Sequence, residues 1–115
     1  MTNQVINYLE SSDSLKPFLL MLSYYAVHQP LEAKKEDLKR NIKEIETFDF
    51  GNQPEYIAEG TGRTKMRQDN PSLASMVAAV DDSVGSVLVK LKELGLTDDT
   101  VVIFFSDNGG LSTKA

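Results

Sequence analysis

VVIFFSDNGG, residues 101–110, runs five apolar side chains straight into Ser106, Asp107, Asn108 and two glycines. A continuous apolar run without alternation suits a strand buried on both faces of a parallel sheet. The polar residues after it suit an ordinary turn, because Asp-Asn-Gly-Gly is good turn chemistry. They equally suit a pair of hard oxygen donors for a divalent cation. A second such run, PFLLMLSYY at residues 17–25, passes into Ala26, Val27, His28, Gln29 and Pro30. Its shortness and the proline at its start favour a strand over a buried helix. In open parallel α/β sheets, sites form in the crevice beyond the carboxyl ends of the strands. Two parallel strands would therefore bring His28, Asp107 and Asn108 to one edge, an imidazole beside a candidate cation site.

The segments between supply helices. Residues 2–10 read as a short helix with Thr2 as its cap and Val5, Ile6 and Leu9 on one face. Residues 11–14 form a polar linker. Residues 32–46 predict a solvated helix with a narrow stripe of Leu38, Ile42 and Ile45, supported by Glu36 and Arg40 at i,i+4. Residues 47–70 show no period and read as a long loop carrying the basic cluster Arg63, Lys65 and Arg67. The strongest local pattern is the helix at 71–94. Asn70 caps it, Pro71 takes its first position, and Gly95 ends it. Leu73, Met76, Val77, Val80, Val84, Val87, Leu88, Leu91 and Leu94 recur along it at helical steps.

Composition narrows the function. The 115 residues are 41% apolar and 25% charged, the balance of a globular chain of one-domain size. A net charge of −5 argues against nucleic acid as the main partner, since phosphate binding needs a basic surface. The chain has no cysteine, so thiolate metal sites and a cysteine nucleophile are excluded within it. The longest uninterrupted apolar run is far short of a membrane span. The polar start Thr2-Asn3-Gln4 does not read as a signal peptide, which leaves the compartment open. Two buried strands do not make a sheet, and each needs neighbours on its edges and helices over its faces. The chain is expected to be a piece of a larger α/β domain, incomplete at both ends.

Several polar groups have plain readings. Asp81-Asp82 lies on the polar side of an amphipathic helix and reads as a solvated face. The cluster at 63–67 reads as solvated loop, with steering of an anionic substrate as the alternative. Lys114 reads as an exposed tail residue.

Taken together, PFLLMLSYYAVHQPLEA and RQDNPSLASMVAAVDDSVGSVLVKLKELGLTDDTVVIFFSDNGGLSTK resemble the sulfatase family of the alkaline phosphatase superfamily. The first block is similar to the family's buried strand and its A-x-H-x-P-L segment. The second is similar to the helix, turn and strand leading into its metal-binding S-D-N-G. The resemblance implies an alkaline-phosphatase-like, mostly parallel sheet flanked by helices, of which only a middle slice is present. It implies that Asp107 and Asn108 bind a divalent cation, usually calcium. It implies that His28 contacts the sulfate and its leaving-group oxygen, as both catalytic and substrate-binding residue. The substrate class implied is a sulfate ester, on a small molecule or a glycan. The family's nucleophile is a formylglycine made within C/S-x-P-x-R, and neither that motif nor the family's early pair of metal-binding aspartates occurs here. The family's catalytic lysine lies beyond the GGLST region, so Lys114 is not that lysine. The expected full-length protein is a periplasmic or secreted sulfuric ester hydrolase, and this chain alone is expected to be inactive. Two alternatives stand beside it. One is a phosphate or phosphonate ester hydrolase of the same superfamily. The other is a non-catalytic fragment that self-associates through exposed strand edges.

Overall fold

The computed structural model describes residues 1–13, 16–109 and 113–114. Three helices, α1 (Thr2–Ser11), α2 (Lys35–Thr47) and α3 (Pro71–Glu93), accompany three short strands, β1 (Tyr56–Glu59), β2 (Gly62–Lys65) and β3 (Thr113–Lys114).

The longest helix begins and ends where its sequence signals stand. The Asn70 side-chain oxygen accepts from the backbone N–H groups of Ser72 and Leu73, each at 3.1 Å, and Pro71 is the first helical residue. At the other end Gly95 takes φ +69°, a conformation that disfavours any residue with a Cβ. Leu96 N–H then reaches the Leu91 carbonyl at 2.9 Å and Gly95 N–H the Lys92 carbonyl at 3.1 Å, which is a Schellman termination.

α3 packs against both α1 and α2, by different chemistry. Toward α1 the contact is mainly apolar, with one hydroxyl pair, Thr2 Oγ1 and the buried Ser83 Oγ, at 2.5 Å. Val5, Leu9 and Leu91 form the buried cluster, with Phe18, Leu20, Leu22, Val87 and Leu96 packed around it. Lys90 closes one edge by pairing with Glu10 at 2.8 Å and Glu93 at 2.6 Å. Those hydrogen bonds raise its pKa to about 12. Toward α2 the contact is polar. Asn41 is buried and its amide donates to Ser75 Oγ at 2.8 Å, while Ser75 Oγ donates to the Pro71 carbonyl at 2.6 Å. The expected apolar stripe of α2 is thus only partly used: Leu38 and Ile45 are half-buried and Ile42 is exposed. The expected Glu36–Arg40 pair is also replaced, because Arg40 pairs with Asp37 at 3.1 Å.

By length and hydropathy alone α3 is apolar enough to cross a membrane, the one such helix among the described residues. In this structure it packs against both other helices and carries the exposed Asp81-Asp82 at its middle.

The two apolar segments correct the expected sheet. Along residues 18–25 exposure alternates strictly: Phe18, Leu20, Leu22 and Tyr24 are half-buried, and Leu19, Met21, Ser23 and Tyr25 are exposed. Period two is the signature of extended backbone, so the segment has the shape of a strand with one face on the helices. Its other face is open, with Leu19 95% exposed. Residues 101–105 are exposed throughout. Neither segment is helical, and no ladder joins them among the described residues. A parallel pair needs flanking strands to hold its slanted ladder and helices to cover both faces. Within the described residues those neighbours are absent, so the expected parallel pairing does not form.

The sheet that does form is antiparallel, in the order β1-β2-β3. Most of it lies in the segment expected to be a loop. Tyr56 pairs with Lys65 and Glu59 with Gly62, leaving Gly60-Thr61 as a two-residue turn with Gly60 at φ +57°. A glycine at the first turn position is what such hairpins favour. The fold is therefore α/β in content, with its hydrogen-bonded strands in another place and of another sense than expected.

Candidate functional site

His28 owes its position to a local turn. Its backbone N–H donates to the Tyr25 carbonyl at 3.0 Å, closing the chain over residues 25–28. Such a bond brings residues i and i+3 close. The rings of Tyr25 and His28 accordingly meet at 4.9 Å between centroids, tilted by 42°. His28 Nδ1 lies 2.7 Å from the Gln29 carbonyl oxygen, which can only accept, so Nδ1 carries the hydrogen. His28 is exposed, and Nε2 has no hydrogen-bond partner among the described residues.

Asp107 and Asn108 sit in a tight exposed bend. Asp107 Oδ1 accepts from Asn108 N–H at 3.0 Å, and Ser106 Oγ donates to the Asn108 carbonyl at 2.5 Å. These two local bonds close the bend. They leave the second Asp107 carboxylate oxygen and the Asn108 side-chain oxygen unengaged among the described residues. Gly110 and Leu111 lie outside them.

The donor chemistry fits calcium in kind. A carboxylate and a carboxamide are hard oxygen ligands, of which calcium takes about six to eight. The number falls short, because no group of three or more His, Asp or Glu side chains suited to a metal occurs among the described residues. No hydrogen bond or ion pair joins His28 to Asp107 or Asn108 among the described residues. What relates them is the chain. Both apolar segments, together with α3, wall one groove of about 880 Å³. Its lining runs to Tyr24 on one segment and to Phe104 on the other. His28 and Asp107 come shortly after those two points in the chain, outside the groove.

The basic cluster is engaged rather than free. Lys65 pairs with Asp69 at 2.5 Å and Glu55 at 2.9 Å. Desolvation pulls its pKa down, but the hydrogen bonds to Asp69 and Glu55 prevail and raise it. Arg67 donates to the Gln53 carbonyl and stacks on Phe50 at 5.3 Å. Arg63 lies over the Tyr56 ring at 5.3 Å and Lys65 over the same ring at 4.7 Å. The hairpin that organises these contacts was missed in the sequence. Gly60-Thr61 between YIAE and GRTK was its only signal.

Comparison with known proteins defines the class. The Sulfatase family model matches residues 1–114. The chain belongs to the sulfatase family. It is 32% identical to the multifunctional alkaline phosphatase superfamily protein PehA of Trinickia caryophylli, over 94% of this chain and 26% of that protein. It is 28% identical to arylsulfatase J of Mus musculus, over 97% of this chain and 15% of the relative. It is 29% identical to an endo-4-O-sulfatase of Bacteroides thetaiotaomicron, over 94% of this chain and 22% of that protein. The chain thus spans about a quarter or less of the length of these relatives.

Proposed function

We propose that this chain is a middle portion of a sulfuric ester hydrolase, carrying part of its cation and sulfate-binding site. The family match over residues 1–114 carries the reading. The site residues agree with it in chemistry. Asp107 and Asn108 offer the oxygen donors for a calcium ion, which would supply Lewis acidity toward the sulfate and the nucleophile. His28 presents Nε2 to the ester. As an imidazolium it stabilises negative charge developing on the leaving-group oxygen, and it can give that oxygen a proton. The formylglycine nucleophile belongs to a part of the domain outside this sequence, so the 115-residue polypeptide should release no sulfate from an aryl sulfate. Measurable release would contradict the assignment of the nucleophile.

Calcium titration followed by backbone amide signals tests the cation edge directly. Weak binding is expected, because two ligands of about six to eight are present. Shifts should centre on residues 106–109 and vanish in Asp107→Ala. Shifts spread over the acidic surface and unchanged by Asp107→Ala would remove these residues from the site. Adding inorganic sulfate should move the His28 ring signals.

A second reading, a phosphate or phosphonate ester hydrolase, is favoured by the likeness to a relative described as a multifunctional alkaline phosphatase superfamily protein. Inorganic phosphate displacing sulfate from His28 at lower concentration would favour it.

A further inference from the structure

Tyr25 has no role in the site built from His28, Asp107 and Asn108, and its surroundings give it one. Its side chain is not part of the core, since the residue is 72% exposed. It faces outward on the alternating segment, while Tyr24 faces inward and bonds Ser83 Oγ at 2.7 Å. The ring partner of Tyr25 is His28, brought to it by the turn over residues 25–28.

An exposed histidine on a turn ordinarily samples several rotamers and both neutral tautomers. Two contacts restrict this one. The Gln29 carbonyl holds the hydrogen on Nδ1, and the Tyr25 ring packs against the imidazole at 4.9 Å, tilted by 42°. A hydrogen bond from Nδ1–H to a backbone carbonyl leaves the lone pair of the neutral ring on Nε2. We propose that Tyr25 is a positioning residue for His28, its ring and the Gln29 carbonyl together setting the imidazole so that Nε2, not Nδ1, is the nitrogen left open to a ligand. Tyr25 acts through His28 and touches no reacting atom. The phenol oxygen is not required, so phenylalanine should serve as well as tyrosine.

The inference rests on His28 being the ligand-facing group proposed above, but its test needs no ligand. The chain has one histidine, so every imidazole signal belongs to His28. Ring-¹⁵N-labelled protein is examined by long-range ¹H–¹⁵N correlation, about two pH units above the ordinary histidine pKa of ~6.5. The expected pattern is a pyrrole-type Nδ1 and a pyridine-type Nε2, with the carbon-bound ring protons displaced by the tyrosine ring current. Tyr25→Phe should keep both features. Tyr25→Leu should lose the displacement and shift the ring toward the Nε2–H tautomer, while the amide signals of α3 stay in place. A wild-type ring in the Nε2–H form overturns the inference without any variant. So does a Tyr25→Leu protein whose imidazole signals match the wild type. A correctly set ring that ignores added sulfate would instead count against the ester-hydrolase reading and leave the positioning role standing.

Discussion

Two leucines at opposite extremes of exposure test how this chain is held together. Leu19 is 95% exposed on the outward face of the first apolar segment, and Leu91 is 5% exposed in the cluster between α1 and α3. Fully burying a leucine is worth roughly 1.5–3 kcal/mol. Leu19 realises about one twentieth of that, or ~0.1 kcal/mol, so Leu19→Ala should be nearly silent. Leu91→Ala loses almost the whole transfer contribution and leaves a cavity beside Val5 and Leu9, for a cost of about 2–5 kcal/mol. Urea unfolding followed by helical circular dichroism separates the two, at concentrations where light scattering shows a monomer. Leu91→Ala should shift the midpoint far down or leave no cooperative transition, while Leu19→Ala tracks the wild type. A loss above ~1 kcal/mol for Leu19→Ala would refute the alternation, since an open face has no such energy to lose.

Gly95→Ala places a Cβ where φ is +69° and should cost about 1 kcal/mol, read from the same urea curves. Asn41→Ala and Ser75→Ala should differ. Ser75→Ala strands the buried Asn41 amide, while the Pro71 carbonyl keeps the helical bond from the Ser75 backbone N–H, and costs about 1–3 kcal/mol. Asn41→Ala leaves the Ser75 donor bond intact and should cost about 1 kcal/mol plus the small void it opens. The Lys90 ammonium, held by Glu10 and Glu93, has its pKa raised from 10.5 to about 12. The folded state therefore holds this proton more tightly than the unfolded chain does. The contribution is whole below 10.5 and is lost as pH rises through about 12. Stability measured across that window should fall less steeply in Lys90→Met.

Where local chemistry decides, the sequence was legible. The start and stop of α3 come from Asn70, Pro71 and Gly95, whose effects need no distant partner. The candidate residues were proposed on a related ground: polar groups after an apolar run mark a strand's carboxyl end whether or not the strand is paired. What could not be read was which neighbour each surface would meet. An interhelical contact built on Asn41 and Ser75 looks like two solvated positions until the partner helix is known. Ile42 looks like core until the helix is seen to roll so that Asn41 faces α3 instead. The hairpin at 56–65 was hidden because its strands are four residues long and carry charge, so neither shows a hydrophobic period.

The parallel ladder expected between the two apolar segments is not formed among the described residues, for a reason that bears on the candidate site. Helix caps depend on neighbours in sequence, whereas a parallel ladder depends on strands far away in the chain. This chain covers about a quarter or less of its compared relatives, and its two apolar segments carry strand-like sequence with no ladder partner among the described residues. The geometry present at the candidate site is the part each segment makes alone: a histidine set by its own turn, and an Asp-Asn bend closed by its own hydrogen bonds. Supplying flanking strands should therefore change the distance between His28 and Asp107 far more than the internal geometry of either group. A paramagnetic label beside Asn108 can measure this. In the 115-residue chain it should broaden the His28 ring signals weakly, and in a longer chain that completes the sheet it should broaden them strongly. Equal broadening in both would mean that the two groups are already held together without the ladder.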